Sequence, residues 1–349
     1  MRPRLPAPSA EAVSDLVSRP ILITGAGGSI GSALARRLTA TNPCALILLD
    51  NSESSLHDLR RSLEYTPHAG RIQTLLGDVR DVALLDEIMT AHKPHIVFHA
   101  AALKHVPLLE EQPLAAISNN IFGTLALSDA AQEHGAHVVL LSTDKAVEPA
   151  SVMGATKNVA ERIVLSRGGS ALRLGNVLAT RGSVIEVFAR QIQMGIPLTI
   201  TSMTARRYFL TIEEAVNLLL LAVDETGRPS LLVPHLDRQH LIVDLARYMA
   251  QALAPEIDVA LRVTQTRPGD KESEQLWSQM ETAGPSHTAG LLRIALPECK
   301  EFPYAQLHAL RAATEGREIP EAIAHLCSLA PGYTSSATVT ALAGQEVPA

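Results

Sequence analysis

An acid and an amine stand side by side at Asp144-Lys145, directly after Ser142-Thr143. Such a couple can divide a proton transfer. One group can take a proton from carbon while the other gives one to a departing oxygen, and burial lowers the pKa of an amine and raises that of an acid. Eight residues beyond Lys145 comes Met153-Gly154-Ala155-Thr156-Lys157. Met153 and Lys157 are four apart, so on a helix they share a face. A thioether exchanges no proton, which leaves Lys157 as the ionisable member of that pair. Taken alone, Asp144-Lys145 would read as a surface ion pair at a strand end and Met153 as core packing. Their company decides otherwise.

That company begins with Thr24-Gly25-Ala26-Gly27-Gly28-Ser29-Ile30-Gly31, a TGxxGxxG spacing after the short apolar run Ile21–Thr24. One glycine permits a tight turn, the next lets backbone approach a pyrophosphate, and the last lets helix and strand pack closely. The helix start then offers free N–H groups to phosphate. Asp50, 19 residues past Gly31, closes the second apolar run. A carboxylate there suits ribose hydroxyls and disfavours a 2′-phosphate, so NAD is expected rather than NADP. Ser29, Ile30, Asp78, Val79, Ala100 and Ala101 complete the candidate cofactor set. The competing readings are a glycine loop without ligand and, for Asp78, an ordinary loop carboxylate.

The elements that must position these residues follow from hydrophobic pattern. Short apolar runs at Ala45–Asp50, Ile72–Leu76, Ile96–Ala100 and Val138–Ser142 alternate with helix-length segments such as Ser32–Leu38. Such alternation predicts βαβ units and a Rossmann-type, doubly wound parallel sheet of the α/β class. After residue 180 polar loops (Thr201–Arg207, Leu236–His240) interleave with helices Ile212–Val223 and Ile242–Leu253, a smaller C-terminal substrate-binding lobe. The expected division is an arm or short leading helix over 1–19, a nucleotide-binding domain over 20–180 with its core continuing later, a substrate lobe mainly over 181–330, and a disordered tail over 331–349.

Composition narrows the class. The 349 residues are 46% hydrophobic and 3% aromatic, with a formal net charge of −6. A sizeable core is expected, while a general nucleic-acid binder is not. Cys44, Cys299 and Cys327 lie far apart without metal-ligand spacing, so no metal is expected and reduced thiols are the simplest reading. No apolar run reaches membrane-span length and no secretory signal is evident, so a cytoplasmic location is the default.

Taken together the chain resembles the extended short-chain dehydrogenases/reductases of the capsular-polysaccharide type, the UDP-N-acetylglucosamine 4,6-dehydratases. The carrying stretches are Gly25–Gly31, His99–Pro107, Ser142–Pro149, Met153–Lys157, Gly175–Ile185, Arg207–Thr211 and Arg267–Lys271. Met153 stands where most short-chain dehydrogenases carry a tyrosine, as in several members of this group. The resemblance implies that NAD accepts hydride from sugar C4, that the 4-ketone acidifies C5, that Lys145 takes the C5 proton while Asp144 protonates the leaving C6 hydroxyl, and that hydride returns to C6. It further implies that Thr143 hydrogen-bonds the C4 oxygen and that Lys157 holds the nicotinamide ribose. The acceptor of the C4 hydroxyl proton is open, with Asp144 as candidate. Lys104, His105, Asn176, Arg181, Val184, Arg207 and Arg267 are the expected contacts of a UDP-sugar substrate, arginine forks matching phosphate oxygens. A homo-oligomer is implied by resemblance only.

Two loops depart from the family pattern, Met203-Thr204-Ala205-Arg206 and Asp270-Lys271-Glu272-Ser273-Glu274. They leave open a C5-inverting dehydratase or an epimerase on another nucleotide sugar. A non-catalytic NAD-sensing regulator is the alternative of another class, disfavoured by the retained Asp144, Lys145 and Lys157. The apolar stretch Val216–Leu221 can pack in a core or across a dimer.

Overall fold

Runs of wholly buried aliphatic residues build the centre of the molecule. The computed structural model describes residues 5–225, 227–256, 259–295 and 302–344. Helix α1 (Ala10–Val17), capped by the Ser9 hydroxyl, leads into β1 (Ile21–Thr24), all four residues of which are buried. Then alternate α2 (Ser29–Thr39), β2 (Leu46–Asp50), α3 (Glu53–Leu63), β3 (Ile72–Leu76), α4 (Val82–His92) and β4 (Ile96–His99). The next crossover is longer. It holds α5 (Val106–Glu111), α6 (Pro113–Ala116), a wide π turn over Ile117–Phe122 and α7 (Gly123–Glu133). Next come β5 (His137–Thr143), α8 (Val152–Ser166) and β6 (Ser170–Leu174).

Beyond β6 the strands become short. They are β7 (Asn176–Val177), β8 (Leu198–Ile200), β9 (Arg206–Arg207), β10 (Phe209–Leu210), β11 (Ser230–Pro234), β12 (His240–Leu241), β13 (Leu261–Val263), β14 (Ala283–Pro285) and β15 (Leu291–Ile294). The helices among and after them are α9 (Val184–Gln193), α10 (Ile212–Ala222), α11 (Ile242–Leu253), α12 (Tyr304–Glu315), α13 (Ile319–Leu329) and α14 (Ala337–Gly344).

The main sheet has nine strands in the order β14-β15-β11-β6-β5-β4-β1-β2-β3. From β11 to β3 every pairing is parallel, and β15 and β14 close one edge antiparallel. The fold is thus the α/β, Rossmann-type arrangement expected. Alternate residues of β1 face opposite ways. Ile21 and Ile23 join a core with α2, α3 and α10, while Leu22 joins one with α4, α7 and α8. The chain reverses direction of travel between β1 and β4, and ligands bind outside the strand ends at such a switch point.

A separate small core joins α9 and α11 to β8, through Phe188, Leu198, Ile200, Val243, Ala246 and Met249. The Val216–Leu221 stretch lies on α10 inside the main core, and Leu218 and Leu219 are 0% and 1% exposed. Burying each such leucine is worth about 1.5–3 kcal/mol, which explains why α10 is drawn against α2.

The tail departs from its expectation. Residues 337–344 form α14, which packs on α5 and α13, with Val339 0% exposed and Tyr333 6% exposed. Two apolar anchors meet a surface that α5, α8, α12 and α13 jointly build, and this outweighs the weak local composition. Residues 345–349 lie outside the described residues. Among the cysteines, Cys44 and Cys327 are free thiols, and Cys299 lies outside the described residues. No described helix is long and apolar enough to cross a membrane.

Candidate active site

The C-terminal ends of β1, β4 and β5 are neighbours, because Thr24 pairs with His99 and His99 with Leu140. That register brings the glycine loop, the Ala100–Ala101 segment and the Thr143–Lys145 turn to one edge of the sheet. Gly25 has φ +68°, and a Cβ there would lie 2.5 Å from the Ala101 nitrogen. At Gly31 a Cβ would lie 2.2 Å from the Gly25 carbonyl oxygen, so only glycine lets α2 sit this close to the loop. Gly28 caps α2 without any side-chain bond, which leaves the first-turn amides unengaged by a cap. A cavity of about 210 Å³ opens above, lined among others by Gly25, Gly28, Asp50, Val79, Ala100 and Ala101. Asp50 accepts from the Gly27 amide (2.8 Å) and the Ser52 amide (2.8 Å), so its carboxylate is fixed at the cavity wall.

Two predicted residues are placed differently. Asp78 does not line the cavity. Its carboxylate is gripped by the Arg80 guanidinium at 2.7 and 2.9 Å, which, against the cost of partial burial, holds it down at about 2. Arg181, expected at the substrate, lines this cavity. Its amide donates to the Ser29 hydroxyl (3.0 Å) and its guanidinium to the Ser55 hydroxyl (2.8 Å). Ser55 and Gly27, unmarked in the sequence reading, complete that wall. Ser29 and Ile30 occupy the first turn of α2.

The Thr143–Lys145 turn closes β5. Asp144 is 0% exposed. Its Oδ1 accepts from the Thr143 hydroxyl (3.0 Å) and from Lys145 Nζ (2.9 Å), while Oδ2 is buried with no hydrogen bond among the described residues. Lys145 Nζ also donates to Asn176 Oδ1 (3.2 Å) and faces Glu274 Oε1 at 3.6 Å. Desolvation pulls the lysine down, but Asp144 and Glu274 outweigh it and hold the ammonium above its ordinary value. A C5 base needs the opposite direction, and the second carboxylate that overrides burial comes from position 274, far along the chain.

α8 carries Met153 and Lys157 past this turn. Gly154 makes the approach possible, since a Cβ there would lie 2.3 Å from the Lys145 carbonyl oxygen. Ser151 caps the helix on the Gly154 amide. Met153 is 5% exposed and packs in the α5–α8 core, a hydrophobic role. Lys157 is buried and makes no hydrogen bond or ion pair with another described residue. Burial lowers its ammonium to about 8, with Glu161 partly opposing. His99 lies near it, kept neutral by burial at about 3, with its ring nitrogens bonded to the Thr24 and Thr124 hydroxyls. Asn120, on the π turn, holds both the amide and the carbonyl of Leu103 and the Thr156 hydroxyl, tying the β4 loop to α8.

Lys104 Nζ donates to the Arg181 carbonyl (2.8 Å), the His105 ring packs against Gly182, and Val184 starts α9. Arg207 is buried, and its guanidinium donates to the carbonyls of Arg206, Lys271 and Glu272. It braces that loop rather than presenting a free fork. Arg267 is exposed on a turn whose Gly269 seats against Ser151 at the start of α8.

Comparison with known proteins accords with this geometry. Residues 21–295 match the family described as polysaccharide biosynthesis protein. The chain is 39% identical over 287 residues to the probable polysaccharide biosynthesis protein EpsC of Bacillus subtilis, covering 78% of this chain and 47% of the relative. It is 40% identical over 278 residues to the capsular polysaccharide biosynthesis protein CapD of Staphylococcus aureus, covering 76% and 46%. The chain thus spans about half the length of these relatives. A UDP-glucose 4-epimerase of Rickettsia typhi is 33% identical over 304 residues, covering 83% of this chain and 86% of the relative. Among solved structures, Pen from Bacillus thuringiensis superposes with a TM-score of 0.75 at 26% identity, covering 81% of this chain and 90% of that one. DesIV, a dTDP-glucose 4,6-dehydratase from Streptomyces venezuelae solved with NAD bound, shares the fold at a TM-score of 0.63 and 20% identity, covering 73% and 87%. The chain belongs to the polysaccharide biosynthesis protein family, within the short-chain dehydrogenase/reductase fold.

Proposed function

We propose that this chain is an NAD-dependent nucleotide-sugar 4,6-dehydratase acting on UDP-N-acetylglucosamine to give a UDP-4-keto-6-deoxy-N-acetylhexosamine. The observation that carries the reading is the couple of buried Asp144 and half-buried Lys145. One Asp144 oxygen is engaged and the other has no hydrogen bond among the described residues, at the sheet edge that holds the glycine loop. The loop fits a dinucleotide: a positive-φ Gly25, a close-packed Gly31, uncapped α2 amides and Asp50 on the wall. Gly25, Gly28 and the α2 amides would hold its pyrophosphate, Asp50 its adenosine ribose and Lys157 its nicotinamide ribose. Bound there, NAD supplies a hydride acceptor at sugar C4 and returns the hydride at C6.

The chain's own groups move the protons. Asp144 takes the proton that the C4 hydroxyl loses on oxidation. Lys145 then takes the C5 proton, the C6–O bond breaks with Asp144 giving its proton so that water leaves, and Lys145 returns its proton to C5 as the hydride reaches C6. The elimination starts from neutral Lys145 and protonated Asp144, which carry the same net charge as the ion pair seen here. The two forms differ by one proton moved along the 2.9 Å contact. Covering the exposed fifth of Lys145 with sugar strengthens desolvation, the influence that favours the neutral amine. Thr143 donates to the C4 oxygen. Lys104, His105 and Asn176 face the sugar nucleotide from the nucleotide-binding part, and Val184 faces it from the 181–330 segment, which forms the substrate lobe. Self-association into a homo-oligomer goes with this reading, and light scattering of the purified chain reads it.

The similarity to UDP-glucose 4-epimerases favours epimerisation as a second reading. The acid beside Lys145 opposes it, because an epimerase expels no hydroxyl at C6 and leaves Asp144 no leaving group to protonate. Incubation with UDP-N-acetylglucosamine followed by mass spectrometry and proton NMR separates the two. A product lighter by one water with a C6 methyl signal is expected, and the NMR also shows whether C5 is inverted. A product of unchanged mass overturns the dehydratase.

A further inference from the structure

Lys145 has two acidic neighbours, and the chemistry above uses only one. Glu274 comes from a segment distant in sequence and is 1% exposed. Its Oε1 lies 3.6 Å from Lys145 Nζ, its Oε2 lies 3.4 Å from Lys271 Nζ, and Oε2 has no hydrogen bond among the described residues. The segment carrying it is clamped. Lys271 Nζ donates to the Val147 carbonyl at 2.6 Å, Arg207 donates to the Lys271 and Glu272 carbonyls, and the Gln239 amide donates to the Glu274 carbonyl. A parallel bridge between Arg206 and Ser273 adds to this.

A structural buried carboxylate is normally saturated by close donors, because desolvating it costs several kcal/mol. Glu274 instead spans two lysines at the long end of ion-pair range. Five groups bear on Lys145: Asp144 on its own turn, Glu274 and behind it Lys271 from the 271–274 segment, Arg207 on β9, and the neutral amide of Asn176 on β7.

We propose that Glu274, charge-balanced by Lys271, is a positioning residue that aims Lys145 and sets on which side of the Asp144–Lys145 couple the shared proton rests. Its consequence for turnover rests on the dehydratase reading, but its electrostatic content does not. When the proton passes from Lys145 to Asp144, Glu274 loses one of its two cations. Lys271 remains, so Glu274 need not take the proton itself. Removing Glu274's charge therefore frees Lys145 to become neutral, whereas removing Lys271 ties Lys145 more firmly to its ammonium form.

The test follows the titration of Lys145 itself. Trace acetylation with acetic anhydride across a pH series, read peptide by peptide by mass spectrometry, reports the unprotonated fraction of each lysine in the folded full-length chain. Relative to wild type, the Lys145 midpoint is expected to fall in Glu274→Gln and to rise in Lys271→Met, each by on the order of one pH unit. Glu274→Asp, which keeps the charge, stays closest to wild type. Shifts in the same direction, or none, overturn the proposal. Should Glu274→Gln not fold, the direction in Lys271→Met decides. A positioning role also moves the acidic limb of the kcat–pH profile with the same opposite signs, which a merely structural role would not do. Opposite titration shifts without dehydrated product leave the positioning role standing and remove the dehydratase. Dehydrated product without the shifts does the reverse.

Discussion

Two ion clusters meet near β5, and they are built on opposite principles. In one, Arg173 on β6 is 2% exposed and reaches Glu161 with Nε and Nη2 and Glu281 with both terminal nitrogens, while the Ser142 hydroxyl donates to Glu161 at 2.5 Å. Arg173 also donates to the Leu276 carbonyl. In the other, Asp144 and Glu274 each leave an oxygen without a hydrogen bond among the described residues, and Lys145 stands between them. The first cluster satisfies its donors and holds β5, α8, β6 and the 276–281 segment in place. The second leaves acceptor capacity unused next to a group able to change its charge. Saturation makes a rigid base, and incomplete saturation leaves proton affinity for chemistry.

The largest expected effect breaks the second cluster in function while sparing the fold. Asp144→Asn should lower product formation by roughly 10²–10⁴-fold, the usual worth of a positioned acid or base, with little change in melting temperature because Lys145 still faces Glu274. Lys145→Ala should lose as much activity and also stability, since it leaves Asp144 buried without its ammonium. A calorimetric scan beside the product assay checks both halves. Arg173→Met should do the converse. It leaves Glu161 buried without its guanidinium and should cost about 3–5 kcal/mol, read as a lowered urea midpoint. If Arg173→Met proves mild and Asp144→Asn unfolds the chain, the assignment of the two clusters is reversed.

A smaller effect sharpens the boundary between them. Gly154→Ala puts a methyl group where the Lys145 carbonyl stands, so α8 must retreat from the Asp144–Lys145 turn. A displacement near 1 Å can cost on the order of 10²-fold in rate, and kcat is expected to fall more than stability does. The smallest effect belongs to a third, exposed pair. Asp78 is held at about 2 by Arg80, below the ordinary carboxylate value. A lowered folded-state pKa contributes stability that is present above the unfolded value of about 4 and lost as pH falls towards 2. Both side chains remain partly exposed, so screening limits the gain to under about 1 kcal/mol. Asp78→Asn should therefore destabilise slightly at neutral pH and not at all near pH 2, measured by urea melts at the two pH values.

Much of this was legible in the one-dimensional chain wherever the signal is local. Short apolar runs at β1 to β5, the glycine spacing, Asp50 after β2 and the Asp144-Lys145 and Met153–Lys157 spacings all reside within a few residues. The backbone turns and helix faces that they specify are short-range consequences of residue type. Legibility stopped where an outcome depended on a partner brought from far along the sequence. The Val216–Leu221 helix could serve a core or a dimer until α2 was seen to cover it. Tyr333 and Val339 looked like part of a loose tail until α5 and α13 supplied a surface. Arg181 and Arg207 looked like free forks until Ser29 and Ser55 claimed one and the 271–272 carbonyls the other.

The sequence by itself determined the α/β alternation, the dinucleotide loop and the identity of the acid–amine couple, because propensity, glycine sterics and side-chain chemistry act over a few residues. Tertiary structure alone decided how firmly Lys145 holds its proton. Glu274 and Lys271 stand more than a hundred residues away in the chain, and a pKa follows distance and burial in space, which sequence separation does not encode.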